Sequence, residues 1–228
     1  MATLVAAPAC SDGSSSDETA RPTPSTPTSA PGAGHGGDPP YGSSMSPEVV
    51  SVADVTELGP GPQVGQRFNG NLGLNVCGRF LEPPAPVAPV GGATVDGAGR
   101  FTLAPTTEAE AGHAATVGEV AAAAGVDLAT GAVTLPPSTR PGQVDLGSRG
   151  APVEVAGRTL RSGDRCGEDR ATVQLWVYTR DAVDTGRNVR LVVTDPERTP
   201  VVEDGMAFVI AFSAESSLPT LPPSVLAG

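Results

Sequence analysis

Lysine is missing from this chain: all 14 basic residues are arginine, set against 25 acidic ones. That removes the phosphate-binding lysine of a P-loop and the amine of a Schiff base. The resulting charge of −11 repels phosphate backbones and anionic headgroups, so nucleic acid is not an expected partner. Histidine is almost as scarce, with only His35 and His113. A Ser-His-Asp triad would have to use one of these two. His35 lies in a Gly-rich stretch, and His113 precedes a helix, where it is read as exposed and inert. Aromatic residues make up 4% of the chain, and no apolar run reaches the roughly 18 residues of a membrane span. No G-x-S-x-G nucleophile elbow occurs either. Neither a catalytic constellation nor a cofactor is expected.

What the chain has in excess is Gly (29) and Pro (24), part of which reflects the Ala/Gly/Pro/Arg bias of a GC-rich gene. Residues 11–48, beginning "SDGSSSDETARPTPSTPTSAPG", hold almost no large apolar side chain. They cannot bury a core and read as a disordered tether, reaching at most ~100 Å at about 3 Å per residue. Ahead of them stand the small apolar residues Leu4 to Ala9 and then Cys10. This resembles the end of a bacterial lipoprotein signal, where a small residue precedes the cysteine that is cut and acylated. The run is short, contains Pro8 and follows no positive stretch; a start codon assigned too far downstream accounts for all three. The resemblance implies lipidation at Cys10 and a domain anchored to the outer face of the cell membrane.

From residue 49 the pattern changes. In "LGLNVCGRF", Leu72, Leu74 and Val76 alternate on one face, the pattern of a half-buried strand. "GRFTLAP" gives a second strand after the turn Asp96-Gly97-Ala98-Gly99, in which Asp96 is read as a turn residue. One helix is expected, in "TVGEVAAAAGV". Thr116 and Glu119 form a capping box, Val117, Val120, Ala121 and Ala124 share a face, and Gly125 sits at the C′ position. Further strands are expected at 153–155, 172–178, 189–193 and 207–212, the last of them central. The paired carboxylates of "CGEDR" and "VEDG" read as solvated loops, because adjacent strand residues point to opposite faces. Trp176 and Tyr178 share one strand face and are read as buried under a second layer, an exposed contact patch being the alternative. Cys77 and Cys166 remain once Cys10 is set aside, an even pair expected as a disulfide. Two separate buried thiols are the alternative; two thiolates without nearby histidine make a poor metal set.

Hairpin, helix, then strands resembles the order of a β-grasp (ubiquitin-like) domain. "TVGEV" and "VVEDGMAFVIAF" look like the helix start and the ending of the small sulfur-carrier proteins of that fold. That likeness covers about half the chain and does not extend to function, since those carriers need a free Gly-Gly terminus. A second resemblance rests on "RFNGNLGLNVCGRFLEPP", "TVDGAGRFTLAP", "AGHAATVGEVAAAAGV", "SGDRCGED" and "VIAFSAESSLPTLPPS". Together these resemble a family of exported actinobacterial proteins with no established activity, whose members carry H-x-H ahead of the cysteine and H-x-H-G-D-G-x-x-H-x-H-P after it. Paired histidines on neighbouring strands suit a transition metal. Here Arg67 and Asn69, Thr94 and Asp96, and Thr102 and Ala104 stand at those positions. The resemblance therefore implies a relative without the metal site.

These readings predict an α+β chain. A signal remnant covers 1–10, a tether 11–48, and a single β-grasp-like domain with a mixed sheet and one main helix 49–214. A Pro-rich tail follows at 215–228. The expected function is that of a non-enzymatic, membrane-tethered extracytoplasmic domain binding an envelope protein or component. The alternative is a metal-binding or metal-delivery lipoprotein using Asp96, His113 and other carboxylates. The six former ligand positions should share one sheet face, with strands 67–77 and 99–105 adjacent and Arg67 near Asp96.

Overall fold

The run Ala207–Ser213 is buried along its whole length and forms the spine of the molecule. The computed structural model describes residues 49–83, 85–146, 150–214 and 219–227, which belong to one compact unit. The expectations for Cys10, His35 and the 11–48 tether lie outside these residues. In chain order the strands are β1 (Val49–Val52), β2 (Phe68–Val76), β3 (Arg79–Phe80), β4 (Ala93–Val95) and β5 (Arg100–Leu103). Then come β6 (Asp127–Ala129), β7 (Ala132–Thr134), β8 (Gln143–Val144), β9 (Val153–Glu154) and β10 (Thr159–Arg161). The last are β11 (Arg165–Cys166), β12 (Asp169–Arg170), β13 (Thr172–Tyr178), β14 (Val189–Val192) and β15 (Ala207–Ser213). Three α-helices accompany them among the described residues: α1 (Val117–Ala123), α2 (Arg180–Thr185) and α3 (Pro223–Leu226).

The main sheet runs β1-β14-β13-β15-β2-β5-β4, with β3 paired to β2. β15 lies parallel to β2 and β1 parallel to β14, while the other neighbours are antiparallel. The fold is α+β, a mixed sheet with few helices. Helix α1 starts where its capping box dictates. The Thr116 hydroxyl accepts from the Glu119 amide at 3.4 Å, and the Glu119 carboxylate accepts from the Thr116 amide at 3.1 Å. It ends in a Schellman turn: Gly125, at φ +73°, donates to the Ala122 carbonyl and Val126 to that of Ala121.

Both faces of the sheet are covered at its centre. On one, α1 packs with Leu72, Leu74, Val76, Phe101, Phe208, Ile210 and Phe212. On the other, Trp176, Tyr178, Val209 and Ala211 pack with Ala182 of α2 and with Leu221 and Val225 from the C-terminal segment. The half-buried reading of β2 is corrected by this second layer: Gly73 and Asn75 are buried as well as Leu72, Leu74 and Val76. A side chain at Gly73 would press on the Phe80 ring at 2.9 Å and on Pro222 at 3.1 Å. Nothing local to β2 announces that cover, because it arrives from about 150 residues further along the chain. The same layer buries Trp176 (2% exposed) and Tyr178 (4%), the arrangement favoured for them. Trp176 Nε1 donates to Gln174 at 3.0 Å, and the Tyr178 hydroxyl donates to the Pro219 carbonyl at 2.8 Å. The packed domain thus extends beyond Ala214, with residues 219–227 as part of it.

Between α1 and β13 an arm folds into three small sheets: β10-β7-β6, β8-β9 and β11-β12. Val133, Leu135, Val144, Val155 and Leu160 tie it into the main core. Each of these strands spans two or three residues, too short for any hydropathy period to register, and only the 153–155 segment was expected. Cys77, at the end of β2, is bonded to Cys166 of β11, with 5.5 Å between their Cα atoms.

Candidate functional site

Strand alternation sets Asn69 and Asn71 on the same face of β2 as Gly73 and Asn75. The C-terminal layer covers that face only from Gly73 onward, so the first half of β2 is left open. On β5, Phe101 and Leu103 point into the core while Arg100 and Thr102 point outward. On β4, exposed Thr94 stands between buried Ala93 and Val95. Register aligns these residues. Asn69 is opposite Thr102, Thr102 is opposite Thr94, and Asn71 is opposite Arg100. The Thr102 hydroxyl donates to Asn69 Oδ1 at 3.1 Å, and the Thr94 hydroxyl makes a longer bond, 3.4 Å, to the Thr102 carbonyl. The result is an open groove of about 700 Å³ with Asn69, Asn71, Thr94, Asp96, Arg100 and Thr102 along it.

Asp96 closes the β4–β5 turn. Its Oδ1 accepts from the Ala98 and Arg100 amides, each at 2.9 Å, and its Oδ2 accepts from Arg100 Nε at 2.8 Å. Partial burial alone would raise its pKa; the Arg100 and Ala98 hydrogen bonds outweigh this and hold it below the usual value. The expected Arg67–Asp96 contact is therefore not made. Arg100, four residues away in the same hairpin, is the closer partner. Arg67 and Ala104 stand one step beyond the Phe68–Leu103 pair, at the end of the strands, and do not line the groove. Four of the six singled-out positions thus line one groove. Asn71 and Arg100 were missed; the alternation Asn69-x-Asn71 in "FNGNLGLN" was the signal that could have found the first.

The "VEDG" carboxylates hold backbone rather than stand idle. Asp204 Oδ1 accepts from the Asn69 amide at 2.6 Å, and Gly205 donates to the Asn69 carbonyl at 2.8 Å, which fixes the start of β2 beside the groove. Glu203 likewise accepts from the Arg180 amide at 2.6 Å, at the start of α2.

His113 is exposed, with Nε2 2.8 Å from the Gly59 carbonyl, to which it donates. It lines a separate groove with Asp54, Asp195 and Arg198. The Thr56 side-chain hydrogen bond, with its backbone amide, holds the Asp54 pKa below the ordinary value. Asp96 and His113, named together as residual metal ligands, are not brought into one site. Among the described residues no cluster of three His, Cys, Asp or Glu side chains is placed to hold a metal. No protein family model matches this chain, and neither a curated protein nor a solved structure matches it.

Proposed function

We propose that this protein is a non-enzymatic, membrane-tethered extracytoplasmic binding domain, anchored by a lipid on Cys10 and related to a histidine-rich family whose metal ligands it has lost. The observation that carries the binding role is the groove. The central strands are covered on both faces, whereas a stretch of polar side chains across β2, β5 and β4 is left open, and it coincides with four of the positions that the resemblance marks as former ligands. The chain enters the sheet at β1, and the groove lies toward β4 at the opposite edge. The two edges are six strand spacings apart, about 29 Å along the sheet.

A β-grasp reading of the domain is supported by the strand order. With the antiparallel pair β2–β5, then α1, then β13, β14 and β15, the central order β5-β2-β15-β13-β14 has the first and last strands parallel at the middle. The Cys77–Cys166 bond is consistent with an oxidising compartment.

The test is fractionation and intact mass of the native protein. Acylated protein in the membrane fraction, released by Cys10→Ala, is expected. A Cys10→Ala protein that stays membrane-bound refutes the anchor. A photo-crosslinker at Thr94 that captures nothing in intact envelope beyond a tether-only control refutes the binding role.

A further inference from the structure

The geometry points to a neutral, polyhydroxylated ligand for the groove: a carbohydrate chain laid across β2, β5 and β4 and held by hydrogen bonds. This rests on the binding role proposed above and names its ligand class.

The groove offers two carboxamides, two hydroxyls and one guanidinium–carboxylate pair. Carboxamides and hydroxyls both donate and accept, and so does a sugar hydroxyl. Several of these groups have capacity to spare. Asn69 Oδ1 is taken by Thr102, which orients the amide and leaves its Nδ2 hydrogens without a partner among the described residues. Arg100 uses Nε on Asp96, leaving its terminal nitrogens. Across the row Asn69–Thr102–Thr94 the strands repeat at about 5 Å, the length scale of one hexose unit.

Other ligand classes fit less well. A polyanion gains little, since the Arg100 charge is offset by Asp96 at 2.8 Å and the chain carries −11. A lipid or an apolar helix finds only the exposed Pro86 as a side chain to cover, because Val95 and Phe101 are 5% and 1% exposed. A cation meets a carboxylate whose two oxygens already accept three hydrogen bonds. Among the described residues no exposed aromatic ring lines the groove, so binding rests on a few hydrogen bonds, which corresponds to millimolar affinity.

The experiment is NMR titration of the isotope-labelled full chain with four neutral hexasaccharides (α-glucan, mannan, arabinan, galactan), with hexagalacturonate and with a polyether of equal length. At least one neutral hexasaccharide should shift signals of Asn69, Asn71, Thr94, Arg100 and Thr102 with millimolar affinity, while the uronate and polyether leave them in place. Thr94→Val with Thr102→Val should weaken that binding at least about fivefold, with the rest of the spectrum unchanged. Silence toward all four at about 20 mM, or equal shifts with the polyether or the uronate, overturns the carbohydrate class. The Thr94 crosslinker separates the two readings. Capture of an envelope protein with silent saccharides removes the carbohydrate class and keeps the binding role. Silence in both removes both.

Discussion

Cys77 directly follows β2, its amide donating to the Phe212 carbonyl at 2.7 Å, while Cys166 sits in the β11–β12 hairpin of the arm. Their bond spans 89 residues, a loop that contains α1 and most of the arm. On the chain-entropy account, closing a loop of that length restricts the unfolded chain by about 4–5 kcal/mol. In a domain of this size each kcal/mol moves the midpoint by about 2–4 °C, so Cys77→Ser with Cys166→Ser should lower Tm by about 10–20 °C. The backbone provides an internal check. Cys77 holds φ +54°, a left-handed conformation that costs an L-residue about 1–2 kcal/mol and glycine almost nothing. Cys77→Gly with Cys166→Ser should therefore lose about 1 kcal/mol less than the double serine variant. Calorimetry on the oxidised chain, the chain under reductant and both variants measures all of this. If reduction shifts Tm by less than about 2 °C, or if thiol titration of the native chain finds both cysteines free, the reasoning fails.

Gly73→Val should push on Phe80 and Pro222 and loosen residues 219–227, seen as faster amide exchange at Val225 and changed Trp176 fluorescence; unchanged exchange would mean the C-terminal layer does not rest on β2. Asn69→His with Thr94→His and Thr102→His should create cobalt or nickel binding, because register sets the three side by side; no binding in a metal titration would count against the family resemblance. Burial pushes the Tyr178 hydroxyl up to about 12, so the native chain keeps a proton that the unfolded chain sheds above about pH 10. That contribution is complete below about pH 10 and is lost as pH rises toward 12, and Tyr178→Phe should flatten the alkaline fall in stability measured by denaturant titration.

Features that local chemistry closes within a few residues could be read directly from the amino acids. The Thr116–Glu119 capping box, the Gly125 C-cap and the Asp96 turn all join groups at most five residues apart, so the amino acids at those positions carry the whole instruction. Strands β13, β14 and β15 were legible because each runs at least four residues with an apolar pattern. Asn69, Thr102 and Thr94 fall in one row because strand alternation puts them on one face and the β2–β5 and β4–β5 registers set them side by side. Long-range packing set the rest. It chose Arg100 over Arg67 as the partner of Asp96, since a side chain four residues away in a closed turn needs less ordering than one on another strand. It laid residues 219–227 over Gly73 and Trp176, turning a strand that reads as half-buried into a central one. And it left the Asn69–Thr94 stretch uncovered, because that layer reaches only Gly73; which part of a sheet stays open depends on where a distant segment stops, and no residue within the sheet encodes that.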